Sequence, residues 1–329
     1  MSGTLKKKTS IFVVCALLFA LCVSVQAQQP KKIYRIGYLT NSPEFSSDSE
    51  GAFQQALRER GYIEEEYIVI DWRFSKGKLD QLPQLAAESL SLTPTASSLS
   101  AWLRAVKQAT NTISIVMGNA DDDPVRHGLV ASLARPGGNV TGFTNFGSDL
   151  AGKRLELLKE IIAKASRVAI LFDPNGPGGA GHVRESESIA PALGLRIERL
   201  EVSHPGALDT AFQAAMKRRA EAMIVVNTSL ITGQSERIIK LAAKTRLPAM
   251  YTSSSSVSAG GLMSFSDDPR DRSKRVADYV DRILKGAKPR DLPVQQPTKF
   301  ELVINLQTAK QIGLTIPPNI LARADRVIR

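Results

Sequence analysis

The sequence predicts an α/β protein with two similar lobes, each a doubly wound parallel sheet, joined by a multi-strand hinge. Strands and helices alternate along most of the chain, which is typical of parallel sheets built from βαβ units. The order strand, polar loop, helix, glycine, strand begins at residues 33–39 and begins again at 167–172. Between the two copies lies the segment 131–145, whose Pro-Gly-Gly-Asn turn separates them.

In the first copy, apolar residues at Phe53, Ala56 and Leu57 predict a helix over 51–60 with one buried face. Strands are predicted at 33–39, 67–72 and 109–117, and a second helix at 79–88. A further helix is expected to open at Asp121-Asp122-Asp123, before Pro124, and to end at Arg135, because Pro136 cannot continue it. The turn at 137–139 then leads into a short strand at 140–143.

The second copy is more regular. Helices are predicted at 150–162, 183–193, 208–220 and 234–245, alternating with strands at 167–172, 195–200 and 222–226. Residues 251–256 and 259–265 are polar and glycine-rich, which indicates a second crossing between the lobes. A long helix at 269–285 follows, with an apolar stripe that includes Val276, Val280 and Leu284. A strand at 301–305 and a helix around Ala309 complete the chain.

One stretch departs from this design. Residues 89–103 stand where a third strand is due, yet they are rich in Ser and Thr and contain Pro94. They lack the apolar β-branched run that a strand buried on both faces needs. One interpretation is a real local distortion, and the other, slightly favoured, is a pair of compensating frameshifts that would impair ligand binding.

The first 27 residues have the pattern of a cleaved signal peptide. Lysines at 6–8 precede an apolar run at 11–23 and an A-x-A-like site at 25–27. The apolar run is shorter than the roughly 20 residues that span a bilayer. We therefore expect export to the periplasm. The predicted lobes are residues 28–142 plus about 262–294, and residues 143–261 plus about 295–329.

Both cysteines, Cys15 and Cys22, lie in the predicted leader, so the mature chain is expected to have no disulfide, thiolate metal site or cysteine nucleophile. The formal charge is +11, and the leader's three lysines leave +8 for the rest. The basic residues, for example Lys153-Arg154, are interleaved with acids on predicted helices, which favours solvated helix faces over a nucleic-acid surface.

The candidate binding residues are short polar side chains in loops at the carboxyl ends of predicted strands, where open parallel sheets bind ligands. Such side chains donate and accept hydrogen bonds, although each could merely cap a helix. Phe146 is a candidate apolar contact. The full predicted set is Thr40, Asn41, Ser42, Asn119, Asp121, Phe146, Asn175, Asn227 and Ser253.

No catalytic residue, cofactor or metal site is predicted. Residues 176–181 match G-x-G-x-x-G after a strand, but Pro177 occupies the turn, so a glycine-rich helix entry is favoured over a dinucleotide site. His127, His182 and His204 stand in loop-like contexts without metal-ligand spacing. The three aspartates at 121–123 lack the spaced ligands of a calcium loop.

Four segments carry a family resemblance. They are Tyr-Arg-Ile-Gly-Tyr-Leu at 34–39, Asp123-Pro124 with Gly-Leu-Val-Ala-Ser-Leu-Ala-Arg-Pro-Gly-Gly-Asn-Val-Thr-Gly at 128–142, Lys-Arg-Leu-Glu-Leu-Leu-Lys at 153–159 and Asp-Leu-Pro at 291–293. Together they resemble the ABC transporter substrate-binding protein family that includes the tryptophan- and tyrosine-binding lipoproteins of bacteria. The resemblance implies a type I periplasmic binding fold with three crossover segments and a ligand-trapping cleft.

The resemblance also implies a function without chemistry: the protein traps a small polar ligand between its lobes and delivers it to a membrane permease. An amino acid or another carboxylate is the preferred ligand class. Two alternatives remain at the level of sequence, a periplasmic sensory protein and, less favoured, an NAD-dependent enzyme. The predicted leader differs from the lipoprotein leaders of the better-known members, because Cys22 follows Leu21 rather than a small residue.

Overall fold

The computed structural model describes residues 33–40, 45–74, 95–97, 103, 106–108, 110–120, 123–144, 150–176 and 178–329. Residues Tyr34–Arg329 form one compact unit. Its strands build two sheets, and we call the parts of the chain around them the first lobe and the second lobe. The predicted helix at 79–88 lies outside the described residues.

The first lobe is built on a five-stranded sheet with the order β2-β1-β3-β4-β5, in which every pair is parallel. On β1, Ile36 and Tyr38 pack into one core and Leu39 into the other, because successive strand residues point to opposite faces. The strands are β1 (Tyr34–Thr40), β2 (Ile68–Phe74), β3 (Thr95–Ser97), β4 (Ile115–Ala120) and β5 (Val140–Thr144). A π-helical turn at Ser47–Gly51 leads into helix α1 (Ala52–Glu59).

The irregular stretch at 89–103 contains the expected third strand, which is the short strand β3. The backbone of Thr95–Ser97 pairs in parallel with β1 on one side and with β4 on the other. Without it, backbone donors and acceptors of both neighbours would be buried without partners. The central slot of the sheet is therefore occupied despite the polar sequence.

The prediction of a helix from Pro124 to Arg135 is wrong, because residues 124–128 form a turn and residues 129–139 are irregular. The carbonyl of Pro124 accepts from the N–H groups of Leu129 and Val130, which lie beyond helical spacing. Gly128 has a φ of +66°, a left-handed value that ends the first turn. The N–H of Ala131 then donates to Pro136 O, which closes a compact loop instead of a helix.

The second lobe is built on a seven-stranded sheet with the order β12-β11-β10-β9-β8-β6-β7, in which only the β10–β11 pair is antiparallel. The strands are β6 (Arg167–Phe172), β7 (Arg196–Glu201), β8 (Ala222–Val225), β9 (Ala249–Tyr251), β10 (Met263–Asp267), β11 (Phe300–Asn305) and β12 (Arg326–Ile328). The helices from here to the chain end are α2 (Ala151–Ile161), α3 (Gly179–Ile189), α4 (Leu208–Lys217), α5 (Ser229–Gly233), α6 (Ser235–Thr245), α7 (Ser254–Ser258), α8 (Pro269–Leu284), α9 (Leu306–Ile312) and α10 (Pro318–Leu321).

Strand β6 shows why the apolar runs of this half form buried parallel strands. Its residues Val168 and Ile170 pack into one core, and Ala169 and Leu171 pack into the core on the opposite face. Both faces are covered by helices, so the run has no polar alternation. Strand β6 pairs with β7 on one side and with β8 on the other, so it lies in the interior of the sheet.

The chain connects the lobes three times. The first connection, after β5, lies mostly outside the described residues, the second joins β10 to α8 at Asp268, and the third precedes β11. In the third, Gln295 N donates to Gly142 O at 2.9 Å and Gln295 O accepts from Thr144 N at 2.9 Å. The expected lobe boundary near residue 262 precedes β10, whereas β10 pairs with β9 and β11, and α8 packs against the first lobe. We therefore propose to place this boundary at Asp268.

Candidate functional site

A cavity of about 710 Å³ lies between the two lobes, at the carboxyl ends of their strands. The first lobe contributes residues 45–50 after β1, the end of β4 and the start of α8. The second lobe contributes the loops after β8 and β9, the end of β10 and the entry to α3. The lining residues include Tyr38, Thr40, Phe45, Asp48, Glu50, Asn119, Arg154, His182, Asn227, Thr228, Thr252, Ser253, Ser256, Asp267 and Arg272.

The structure brings together some of the predicted binding residues. Four of them line the cavity, two from each lobe: Thr40, Asn119, Asn227 and Ser253. Asn175 is exposed and is not part of the lining, and its N–H donates to Asp173 Oδ1 at 2.9 Å in a tight turn. The remaining predictions lie outside the described residues: Asn41, Ser42, Asp121 and Phe146.

The second-lobe wall of the cavity is rich in hydroxyl groups that are ordered by hydrogen bonds. Thr252 Oγ1 accepts from Asn227 N at 2.8 Å, and Asn227 Nδ2 donates to Ser256 Oγ at 3.4 Å. Thr228 caps α5, with its side-chain oxygen accepting from Ile231 N. These groups can donate to or accept from a polar solute, and the backbone bonds hold them in place.

Arg154 lines the cavity, and we call the part of the lining formed by Arg154, His182 and Asp267 the cavity floor. The sequence did not indicate that Arg154 would lie there. Arg154 projects from α2 and is 1% exposed, whereas the adjacent Lys153 side chain is 42% exposed. The expectation of a solvated helix face is therefore wrong for Arg154. Burial lowers the pKa of Arg154 to about 9, an effect that the charge of Asp267 opposes. Its guanidinium remains protonated at neutral pH.

His182 contacts this arginine from α3. Arg154 Nη1 lies 3.1 Å from His182 Nε2, and His182 Nδ1 lies 3.3 Å from Ser186 Oγ. Burial, and secondly the charge of Arg154, lowers the pKa of His182 to about 3. The imidazole is therefore neutral, and its Nε2 accepts from the guanidinium. The structure places His182 on a buried helix face, not in the expected loop.

Two carboxyl groups and a second arginine also belong to the charged part of the lining. Asp267, at the end of β10, forms an ion pair with Arg272 of α8. Glu50 is 1% exposed, and its Oε2 accepts from Ser46 N at 3.0 Å. Burial raises the pKa of Glu50, although hydrogen bonds from Ser46 and Thr40 act in the opposite direction.

The first lobe adds aromatic rings. Tyr38 packs against Trp72 with ring centroids 4.8 Å apart, and Phe45 meets Trp72 edge to face at 5.3 Å. Tyr38 and Phe45 both line the cavity, and Phe45 remains 48% exposed. An exposed ring on a supporting aromatic cluster offers an apolar surface to a ligand.

Sequence reasoning missed six acidic or basic cavity residues: Asp48, Glu50, Arg154, His182, Asp267 and Arg272. Asp267 had a usable signal, since it ends a strand, but the polar and glycine-rich segment 259–265 predicts a flexible crossing instead of a strand. Arg154 had none, because a basic residue beside Lys153 on an amphipathic helix is usually solvated.

The described part of the chain offers neither a cluster of metal-binding side chains nor a helix that could span a membrane. Among these residues, no group of three or more His, Cys, Asp or Glu side chains could hold a metal ion. None of the helices described is both long and apolar enough to cross a membrane. The glycine-rich match at 176–181 has a packing explanation, because a Cβ at Gly176 would lie 2.6 Å from Thr228 Cγ2.

The fold and the interlobe cavity define a two-lobed binding protein, and comparison with known proteins agrees. The sequence model of the family described as ABC transporter substrate binding protein matches residues 43–328. The chain belongs to this family, and its fold is that of the type I periplasmic binding proteins.

The individual proteins that this chain resembles are 24–26% identical to it. A tyrosine-binding protein of Clostridioides difficile is 26% identical over 283 residues, which cover 85% of this chain and 80% of the relative. A conserved domain protein from Vibrio cholerae has a TM-score of 0.80 at 25% identity, covering 90% of this chain and 100% of that one. An ABC domain from Streptococcus pneumonia in complex with L-Trp has a TM-score of 0.81 at 24% identity, with the same coverages.

Proposed function

We propose that this chain is the exported solute-binding component of an ABC importer and that it traps an amino acid, preferably an aromatic one, between its lobes. It carries out no chemistry on this ligand and delivers it to a membrane permease. The observation that carries the proposal is the interlobe cavity of about 710 Å³. This volume lies within the roughly 300–1,000 Å³ that is usual for small-molecule sites.

The cavity lining fits the three parts of an aromatic amino acid. Arg154 and the hydroxyl-rich wall suit a carboxylate, and the carboxylate of Asp267 suits an ammonium group. The exposed ring of Phe45 suits an aromatic side chain. The tyrosine-binding relative and the L-Trp complex of a similar fold support this ligand class.

Lobe closure supplies the mechanism. A ligand that contacts both lobes stabilises the closed arrangement by its differential affinity for the closed and open states. Residues from both lobes line the cavity here, for example Asn119 on β4 and Asn227 after β8. A permease that recognises the closed surface would then accept only the loaded protein.

The test is a thermal-shift and calorimetric screen of the full chain against L-tyrosine, L-tryptophan, L-phenylalanine, dicarboxylates and sugars. A ligand at 100 times its Kd should stabilise the fold by about 2.7 kcal/mol. We expect the aromatic amino acids to raise the melting temperature and the sugars to leave it unchanged. A cooperative melt that no amino acid shifts would contradict the proposal.

Two asparagines provide a matched pair of variants. Asn227→Ala removes a cavity amide, so we expect affinity to fall about 2- to 13-fold, the equivalent of one hydrogen bond of roughly 0.5–1.5 kcal/mol. Asn175→Ala, outside the lining, should leave the Kd unchanged. Uptake of the labelled ligand by cells that lack the protein, restored by the wild-type chain, would test delivery to a permease.

A further inference from the structure

Arg154 is a buried cation with a restrained orientation. Its Nε donates to Phe265 O at 2.8 Å, and its Nη1 donates to His182 Nε2 at 3.1 Å. These two acceptors lie on different elements, β10 and α3, so they fix both the position and the plane of the guanidinium. Arg154 and His182 are each 1% exposed, and both line the cavity.

We infer that Arg154 is the residue that selects for the carboxylate of the ligand and that His182 is a positioning residue for it. This inference rests on the proposed function, because it assigns a role within the same cavity. A planar guanidinium matches a carboxylate with two parallel N–H donors. Its selectivity then depends on the orientation that Phe265 and His182 impose.

The charges around the floor favour an anionic group. Asp267 is shared, since it pairs with Arg272 and its charge also acts on Arg154. The imidazole of His182 is neutral and adds no charge, and burial raises the pKa of Glu50 more than its interaction with the charge of Arg272 lowers it. A carboxylate brought to Arg154 therefore meets a guanidinium whose neighbouring carboxylate, Asp267, is already paired with Arg272.

A further carboxylate of the lining, that of Asp48, does not cancel this preference for an anionic group. Asp48 also lines the cavity, but its Oδ1 accepts from Arg270 Nε at 2.9 Å and its Oδ2 lies 3.4 Å from Arg326 Nη1. Two arginines thus neutralise Asp48 away from the floor. The competing explanation is that Arg154 only ties α2 to β10 and α3, which would affect stability but not ligand selectivity.

The experiment compares each acid with its amide. Calorimetry on the purified full chain measures the Kd of L-tyrosine against L-tyrosinamide, and of L-tryptophan against L-tryptophanamide. In the wild type we expect the acid to bind about 10- to 100-fold more tightly, the range of one charge-assisted contact. In Arg154→Met this preference should fall to less than about threefold, with affinity for the amides little changed.

Two further variants test the positioning role and the folding of the protein. His182→Gln keeps a neutral side chain but not the imidazole geometry, so the acid preference should fall severalfold. If Arg154→Met does not fold, Arg154→Lys takes its place, because a lysine cannot form the same planar fork and should also reduce the preference. The control is Arg323→Met, which removes a positive charge from an exposed pair with Glu160. It should leave the preference intact.

The outcomes separate the two proposals. If the wild type binds neither the acids nor the amides, the proposed function fails and the inference fails with it. If the wild type prefers the acids and Arg154→Met, or Arg154→Lys in its place, keeps that preference, only the inference is overturned. Loss of the preference in Arg272→Met but not in the Arg154 variants would likewise overturn it and assign the selectivity to Arg272.

Discussion

Gly142 on β5 has a backbone conformation and surroundings that leave no room for a Cβ. Its φ is +124°, and a Cβ built on it would lie 2.2 Å from Met117 O and 2.5 Å from Met117 N. The neighbouring strand β4 supplies those atoms, and the β4–β5 register shifts just beyond Met117. Gly142 O also accepts from Gln295 N, so this glycine supports the third crossing segment.

Substitution of Gly142 by alanine should therefore destabilise the protein strongly. Adoption of such a φ by a non-glycine residue costs about 1–3 kcal/mol, and displacement of a packed backbone costs about 1–3 kcal/mol more. We expect a total of about 2–6 kcal/mol, to be measured by denaturant and thermal unfolding. At roughly 2 °C per kcal/mol, the melting temperature should fall by at least about 4 °C.

Gly138 is the matched control, four residues earlier in the same segment. It is exposed, it lacks a positive φ, and a Cβ on it would meet nothing within 4 Å. Gly138→Ala should change the free energy of unfolding by less than about 1 kcal/mol, with stabilisation expected because the unfolded chain loses freedom. Equal melting temperatures for the two alanine variants would refute the steric argument.

Two further predictions concern charge. The pKa of His182 is about 3 in the folded state and about 6.5 in the unfolded state. The contribution of the neutral imidazole to the free energy of unfolding is therefore fully present above pH 6.5 and is lost as the pH falls towards 3. Between pH 6.5 and 5 the stability of the wild type relative to His182→Gln should fall by about 2 kcal/mol in chemical denaturation, and a constant difference would contradict the burial of a neutral imidazole. Arg326→Gln removes the pair between β12 and Asp48, which joins the two lobes. Ligand affinity should fall about two- to fivefold at low salt and be unaffected in 1 M salt, as measured by calorimetry, whereas an equal loss at both would exclude an electrostatic cause.

Cavity-lining residues could be predicted only where the local sequence shows that a residue follows the end of a strand. Asn227 and Ser253 follow apolar runs, and the carboxyl ends of parallel strands meet at one edge, so their place in the cavity lining followed from the pattern. Asn175 satisfied the same rule and is exposed, because its loop turns back on Asp173. The rule identifies the edge of the sheet but not the direction in which each loop folds.

The sequence by itself determined the two lobes, most of the strands and the long helix α8, because apolar periodicity, glycines and prolines act within a few residues of one another. Only the tertiary structure decided which charged side chains meet at the cavity floor. Arg154 and His182 are 28 residues apart on separate helices, and Asp267 lies on a third element. Their burial depends on how α2 and α3 pack around β10, and no local pattern distinguishes an arginine that faces this cavity from one that faces water.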